Sequence, residues 1–257
     1  MKKKISIVLS MGSFAAQASA TLIAYYDMEQ GSSPVVDQVG GELASAVDSG
    51  HRYSVVGPTG FGRAVGLTAN GSWQLSVADS AALNTLANDF SVAAWVFIDS
   101  SLAKTGANSN NYRIIGDDVA WDGDAWSFGV RNGSLLFTKN GIVDAFSSGG
   151  ATVPTDEWVH VAATVSSAAG ITFYLNGAVD GTNGNTTNNN LGDDVFGIGR
   201  SYGSGEGQYL AGSLDEVRVY DRVLSSNEVT ALTIPEPTLG ILTAVAGLGL
   251  GLRRRRA

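Results

Sequence analysis

The middle of the chain alternates apolar and polar residues with a period of two. Apolar side chains occupy every second position from Trp158 to Ser166 and again from Ile171 to Leu175, which is typical of a strand with one buried face. Residues 90–98 are more continuously apolar, as expected for a central strand. Asn-Gly pairs lie between apolar runs and begin at positions 132, 140 and 176. Because Asn and Gly tolerate the positive φ angles of a type I′ turn, each pair predicts a β-hairpin.

The spacing of these strands predicts an all-β fold. Short strands, frequent turns and 33 glycines favour a jelly-roll sandwich of two antiparallel sheets. Two short helices are expected besides the strands. Asp79-Ser80 caps the first, which runs through Leu86, and Ser225 begins the second with a capping box that Glu228 completes.

Both ends of the chain depart from this pattern. At the start, three lysines precede an apolar run over residues 5–14, and Ala18-Ser19-Ala20 follows it. A basic start, an apolar run and small residues at a cleavage site are typical of a secretory signal peptide. We therefore divide the chain into a signal peptide at residues 1–20, one domain at residues 21–234 and a tail at residues 235–257.

The tail combines three segments in order. Pro235, Glu236 and Pro237 precede fifteen uncharged, mostly apolar residues, and Arg253, Arg254, Arg255 and Arg256 follow them. This order resembles the PEP-CTERM sorting signal of certain bacteria. The resemblance implies an exosortase-type membrane protease that removes the apolar span and delivers the protein to the cell surface or extracellular matrix. A lasting membrane anchor is the alternative, but fifteen helical residues reach only about 22 Å across a ~30 Å hydrocarbon core, which favours temporary anchorage.

Charge and cysteine content restrict the chemistry of the domain. The two ends hold seven of the 16 basic residues and one of the 24 acidic residues, which leaves nine basic and 23 acidic residues and a formal charge of −14. So acidic a domain is not expected to bind nucleic acid or anionic lipid, whereas it suits divalent cations. The chain has no cysteine, which excludes disulfides and thiolate chemistry.

Three segments of the domain carry a family resemblance. They are FSVAAWVFID at residues 90–99, WVHVAATVSSAAGITFYLNGAVDGT at residues 158–182 and LAGSLDEVRVYDRVLSSNEVTAL at residues 210–232. Together they resemble the concanavalin A-like, laminin G-like domains of bacterial surface proteins, over about residues 22–232. The resemblance implies a jelly roll but no single function, because members include glycan binders, adhesins, scaffolds and a few enzymes.

Asp215 is the first candidate site residue. Simple alternation along its strand places it on the same face as Val217 and Val219, where a carboxylate is costly unless it is paired or coordinated. In one interpretation Asp215 only caps the start of the strand or pairs with Arg218 or Arg63.

The family resemblance offers a second interpretation of Asp215. It implies a calcium ion beside this strand, with ligands from Asp215 and from the first strand, which supplies Asp27 and Glu29. Calcium takes six to eight hard oxygen ligands, which carboxylates and loop carbonyls provide. Calcium is the one cofactor that we expect.

The segment GDDVAWDGDAW at residues 116–126 is the second candidate site. Exposed aromatic rings stack on sugars, and carboxylates accept hydrogen bonds from sugar hydroxyls. Trp121, Asp122, Asp124 and Trp126 therefore predict a glycan site, with Tyr202 of another Gly/Ser-rich loop at its rim. The alternative is an Asp/Gly turn between two strands with Trp126 in the core.

Catalytic motifs are absent from the sequence. No Glu-x-Asp-x-x-Glu, Gly-x-Ser-x-Gly, His-Glu-x-x-His or phosphate-binding loop occurs, and of the two histidines His160 is expected to be structural. We therefore expect a non-catalytic protein, exported through the inner membrane, that binds a polysaccharide or another protein at the cell surface or in the matrix. A matrix protein without a specific ligand and a carbohydrate-active hydrolase or lyase are the alternatives.

Overall fold

The structure is a computed structural model. It describes residues 21–46, 52–67, 75–77, 80, 82–86, 88–102, 104, 109–117, 126–139, 142–186, 196–200 and 208–235. The strands in these ranges are β1 (Leu22–Tyr26), β2 (Val35–Val36), β3 (Leu43–Ala46), β4 (Arg52–Val56), β5 (Arg63–Leu67), β6 (Leu75–Val77), β7 (Phe90–Ile98), β8 (Asn111–Asp117), β9 (Trp126–Arg131), β10 (Ser134–Lys139), β11 (Val143–Phe146), β12 (Trp158–Ser166), β13 (Gly170–Leu175), β14 (Ala178–Asn183), β15 (Phe196–Ile198) and β16 (Gly212–Tyr220).

The strands form two antiparallel sheets of eight strands each. The sheet that we name the back sheet has the order β14-β13-β12-β7-β16-β5-β4, and β1 also pairs with β16. The front sheet has the order β11-β10-β9-β8-β15-β6-β3-β2. The predicted all-β jelly-roll sandwich of two antiparallel sheets is therefore confirmed.

The inner faces of the two sheets enclose the hydrophobic core. Alternation in β12 sends Val159 and Val161 inward, as the sequence pattern predicts. Trp126 of the front sheet is fully buried and stacks on Phe137 at a centroid distance of 5.4 Å, with Phe90 of the back sheet 4.9 Å away. Aromatic contacts of this kind bury large areas and fix the spacing of the two sheets.

Two of the predicted hairpins are confirmed by their backbone angles. Asn132 and Gly133, between β9 and β10, have φ angles of 52° and 80°, and Asn176 and Gly177, between β13 and β14, have φ angles of 49° and 77°. Both pairs adopt the positive φ that a type I′ turn requires. The third Asn-Gly pair, at residues 140–141, lies outside the described residues.

One of the two predicted helices is confirmed. Helix α1 (Ser226–Ala231) begins with the expected capping box between Ser225 and Glu228, and it packs on the outer face of the back sheet through Val229. The helix predicted up to Leu86 is instead a single 3₁₀ turn at Leu83–Thr85, too short to form a regular amphipathic face. Within the described ranges no helix is long and apolar enough to cross a membrane.

Candidate functional site

Strand β16 changes partners along one of its edges, and the site lies at that change. Residues 212–214 pair with β5, and residues 217–220 pair with β1. Asp215 and Glu216 lie between the two ladders, and the register with β7 on the other edge shifts at the same point. Glu216 has a φ of 53°. The strand therefore carries a bulge, which adds one residue and reverses the alternation beyond it.

The bulge places Asp215 on the opposite face of the back sheet from the one that the sequence predicts. Leu214, Val217 and Val219 all belong to the inner core, whereas Asp215 lies opposite Trp95 of β7 on the outer face of the back sheet. The prediction that Asp215 shares a face with Val217 and Val219 is wrong, because simple alternation does not hold across the extra residue. The carboxylate is therefore directed away from the core.

Asp215 is nevertheless fully buried. Its exposed fraction is 0%, and its Oδ1 accepts a hydrogen bond from the backbone N–H of Glu216 at 2.8 Å. Its Oδ2 has no hydrogen-bond partner among the described residues. A Cβ atom placed on Gly57 would lie 2.7 Å from this Oδ2 and 3.0 Å from the carbonyl oxygen of Gly62. The carboxylate therefore sits against a backbone segment that approaches closely only because it contains glycine.

Asp27 and Glu29 follow β1 and lie beside the same segment. The Oδ1 of Asp27 accepts hydrogen bonds from the Glu29 backbone N–H at 3.3 Å and from the Gln30 side chain at 3.1 Å. The Oε1 of Glu29 accepts one from the backbone N–H of Arg63 at 2.8 Å, and its carboxylate packs on Gly62. The Glu29 carboxylate therefore fixes the segment after β1 against the start of β5, whereas the hydrogen bonds of Asp27 stay within its own segment.

Burial and like charges act together on Asp215. Burial, followed by the charge of Glu216 and then those of Glu29 and Asp27, raises the pKa of Asp215 to about 9. In the described part of the chain, no three His, Cys, Asp or Glu side chains are close enough to hold one metal ion together. Asp215 thus offers one unpartnered oxygen near a carbonyl and two further carboxylates, and the calcium site stays a prediction.

Glu216 is a second charged residue beside Asp215, and alternation along the strand does not reveal its contacts. It forms an ion pair with Arg218 and accepts a hydrogen bond from the Tyr25 hydroxyl at 2.7 Å. The Arg218 guanidinium lies 4.4 Å from the centre of the Tyr25 ring. Arg218 therefore pairs with Glu216, and the alternative interpretation, in which Arg218 pairs with Asp215, is not what the structure shows. Because the bulge depends on tertiary pairing, no pattern in the sequence reveals this contact.

A row of aromatic side chains continues the outer face beyond Asp215. His160 lies opposite Trp95 with their ring centroids 5.5 Å apart, and Phe61 covers Trp95 at 5.4 Å. His160 is 1% exposed, and this burial lowers its pKa to about 3. The imidazole is therefore neutral at ordinary pH.

Of the five residues predicted to bind a glycan, the structure describes only Trp126. Trp126 has no exposed surface and lies among core aromatics, so its ring offers no face to a sugar and its proposed ligand role is corrected. Trp121, Asp122, Asp124 and Tyr202 lie outside the described residues.

A polar row crosses the outer face of the front sheet. Consecutive cross-strand partners place seven small or polar residues in line, and these are Asp144, Thr138, Ser127, Gly116, Gly197, Ser76 and Ser45. Six strand spacings give this row a length of about 29 Å. The sequence contains all seven residues, but only the register of seven strands aligns them. We call this feature the front-sheet row.

Hydroxyl and charged groups line the front-sheet row. The Arg113 guanidinium donates to Thr138 Oγ1 at 2.8 Å, and Thr138 Oγ1 donates to Asp144 Oδ1 at 2.8 Å. Arg131 pairs with Asp144 at 2.9 Å at one end of the row. The hydroxyl of Ser127 is buried and has no partner among the described residues. The two ends of the row are therefore polar and accessible, whereas its middle is polar but buried.

A comparison with family models identifies the superfamily to which this architecture belongs. Residues 69–230 match the Laminin_G_3 model, which describes the concanavalin A-like lectin/glucanases superfamily. The chain belongs to this superfamily. The resemblance drawn from the three sequence segments is thus confirmed for the domain. No curated protein matches the sequence of the chain.

Solved structures of other proteins share the concanavalin A-like fold. Domain 4 of AbnA, an extracellular arabinanase from Geobacillus stearothermophilus, in complex with arabinotriose, matches with a TM-score of 0.64 and 19% identity over 84% of this chain and 99% of that one. The binding domain of Paraclostridial Mosquitocidal Protein 1 matches with a TM-score of 0.61 and 18% identity over 82% of this chain. The binding domain of botulinum neurotoxin serotype D matches with a TM-score of 0.57 and 16% identity, also over 82%. The chain spans 51% and 50% of the two toxin domains.

Substitution Asp215→Asn is expected to stabilise this concanavalin A-like domain when no cation is present. The pKa of Asp215 is raised from 3.8 to about 9 in the folded domain. The contribution of Asp215 to the free energy of unfolding is therefore most favourable below about pH 4 and is lost as the pH rises towards 9. The neutral amide avoids this loss, so we expect the variant to gain about 2 kcal/mol or more near neutral pH.

Urea unfolding in chelator at about pH 5 and about pH 8 measures this effect. Glu157→Gln removes the same charge at an exposed position and serves as the matched control. If Asp215→Asn and Glu157→Gln have equal stability at the higher pH, the buried-charge interpretation is wrong.

Proposed function

We propose that this chain is an exported, non-catalytic carbohydrate-binding protein of the cell surface or extracellular matrix. The observation that carries the proposal is its membership of the concanavalin A-like lectin/glucanases superfamily. Domain 4 of an extracellular arabinanase, which matches this fold over 99% of its own chain, was solved with arabinotriose. The ligand class that follows is a polysaccharide, with another surface protein as the alternative partner.

The front-sheet row supports a binding site of this kind. Ser45 and Ser76 at one end of the row and Asp144 at the other carry accessible polar groups, whereas Ser127, Gly116 and Gly197 between them are buried. Hydroxyls and carboxylates both exchange hydrogen bonds with sugar hydroxyls. Two accessible polar ends about 29 Å apart suit an extended polymer better than a single sugar.

Calcium is proposed as the cofactor, beside the back sheet. Asp215 would hold it through the unpartnered Oδ2, with Asp27, Glu29 and the Gly62 carbonyl as the further oxygen donors. The fit rests on that buried orphan oxygen, which a cation would satisfy by displacing the proton that burial otherwise favours. The cation would supply positive charge and would not take part in any reaction.

Export and sorting form the second part of the proposal. The signal peptide at residues 1–20 and the residues after Pro235 lie outside the described residues, so this part rests on the sequence alone. An exosortase-type protease would be the transient partner at the inner membrane. The mature domain would then reach the cell surface or matrix, or would remain anchored to the membrane if the tail is not removed.

Calcium is expected to stabilise the full chain, purified in detergent micelles. Binding to the folded state at about 100 times the dissociation constant adds about 2.7 kcal/mol, which is visible as a higher Tm in calcium than in chelator. The Asp215→Asn variant should show no such shift, whereas the Glu157→Gln variant should retain it. A wild-type Tm that is the same in calcium and in chelator would refute the cation site.

Substitution Ser76→Trp is expected to abolish polysaccharide binding, because an indole ring fills the front-sheet row. The measurement is binding to a polysaccharide panel that includes arabinan oligosaccharides. Asn227→Trp adds the same ring to the exposed side of α1, behind the back sheet, and should bind like the wild type. Absence of binding by the wild type would favour a matrix protein without a ligand, and release of reducing ends would favour a hydrolase or lyase.

Replacement of Arg253, Arg254, Arg255 and Arg256 with Gln is expected to change the membrane retention or the C-terminal trimming of the protein. The positive cluster after an apolar span keeps that end in the cytoplasm. Cell fractionation and the mass of the mature protein measure the effect, with Arg131→Gln as a control in the domain. Unchanged fractionation and mass would count against the sorting role.

A further inference from the structure

Four aromatic side chains form a surface on the outer face of the back sheet. Trp95 and Phe97 point outward from β7, and Trp158 of β12 lies opposite Phe97. Phe61 packs on Trp95 at 5.4 Å, and the rings of Phe97 and Trp158 are 5.8 Å apart. All four side chains are partly exposed, and within the described part of the chain they belong neither to the inner core nor to the cluster beneath α1. We call this surface the aromatic platform.

Helix α1 covers only the neighbouring part of the same face. Ala93 and Ala162 pack beneath the helix, and the aromatic rings begin two residues further along β7, at Trp95. The indole N–H of Trp95 has no hydrogen-bond partner among the described residues. Apolar surface that stays exposed beside polar residues marks interaction sites on soluble proteins. The platform is therefore a candidate contact surface.

The rim of the platform is acidic where β7 ends and β12 begins. Asp99 follows β7, and Asp156 and Glu157 precede β12. The backbone N–H of Asp156 donates to the carbonyl of Ile98 at 2.8 Å, so the three acidic residues lie at the same end of the two strands. Hydrogen bonds from Ser100 lower the pKa of Asp156, and its carboxylate is therefore charged at neutral pH.

Charge decides what kind of partner fits the platform. Residues 90–102 and 151–166, which supply the two strands and the acidic rim, contain no Lys or Arg. A second copy of this acidic domain would bring more negative charge to the contact, which opposes self-association. Cationic groups are attracted both by the faces of aromatic rings and by carboxylates. Arginine suits both, because its guanidinium stacks on aromatic rings and forms paired hydrogen bonds with carboxylates.

We propose that the aromatic platform binds an arginine-bearing segment of another protein. The guanidinium groups of that segment stack on Trp158 and Phe97, and the carboxylates of the rim accept their hydrogen bonds. Aromatic and arginine side chains are the residues that dominate the binding energy of protein interfaces. The platform and the front-sheet row lie on opposite sheets, so this inference adds a protein partner to the proposed glycan and does not depend on it.

Hydroxyl-radical footprinting of the full chain in nonionic detergent micelles tests the platform in the wild-type protein. The probe is octa-arginine, and octa-glutamate is the control peptide. We expect octa-arginine to lower the oxidation of Trp158 and Phe97 several-fold, because it covers their rings, and octa-glutamate to leave it unchanged. Phe146 is exposed at the edge of the front sheet and serves as the matched aromatic control, which should be oxidised equally in all conditions.

Two variants remove a ring without changing the charge of the domain. Trp158→Ala and Phe97→Ala are each expected to weaken the binding of octa-arginine by roughly tenfold, because one stacking contact is lost. Val179→Ala removes an exposed apolar side chain from the same sheet and should bind like the wild type. Calorimetric titration measures the affinity, and the Tm of each variant shows whether it is folded.

Three results would overturn the proposal. Equal affinity of the wild type and both ring variants would mean that octa-arginine is held only by diffuse charge. Protection of Trp158 by an arabinan oligosaccharide instead of octa-arginine would assign the platform to a sugar. Protection that rises with protein concentration in the absence of a probe would assign it to a second copy of this chain. The Ser76→Trp and calcium measurements test the front-sheet row and the cation site separately, so these results leave both standing.

Discussion

Strand β16 has to satisfy three partners, β7 on one edge and β5 and β1 in succession on the other. Ladder hydrogen bonds satisfy buried backbone groups, so the residues between β5 and β1 need other partners. The bulge at Asp215 and Glu216 provides one, because the Glu216 N–H donates to Asp215 Oδ1. It also keeps both Leu214 and Val217 in the core. The consequence is a carboxylate buried on the outer face of the sheet.

That buried carboxylate explains several features around it. Gly57 and Gly62 are required because the loop backbone lies directly on Asp215 and Glu29, where a side chain would displace one of them. The pKa of Asp215 rises to about 9 because burial and three acidic neighbours oppose its charge. A divalent cation bound there, as proposed, would offset this penalty.

The two outer faces of the sandwich have different roles because their side chains differ. On the back sheet, Ala93 and Ala162 are small enough for α1 to pack closely through Val229. On the front sheet the corresponding face carries glycine and hydroxyl residues, with the Arg131–Asp144 ion pair at one end. A covered apolar face adds stability by removing area from water, whereas a polar row offers hydrogen bonds to a ligand. The proposed cation site and the front-sheet row therefore lie on opposite sheets.

The sequence by itself determined the features that depend on local chemistry. The alternation in β12, the Asn-Gly turns at positions 132 and 176 and the capping box of Ser225 were predicted, because each depends on residues close together in the chain. The superfamily was also identified from short segments. The boundaries of the short helix before Leu86 were not predicted correctly, because a single 3₁₀ turn is too short to show a helical period in the sequence.

Only the tertiary structure decided the site. The outward direction of Asp215, the ion pair of Glu216 with Arg218 and the core position of Trp126 all depend on which strands pair and where the register shifts. The front-sheet row likewise exists only after seven strands have aligned. Alternation read along one strand cannot reveal a bulge, because the bulge arises where two partner strands meet on a third.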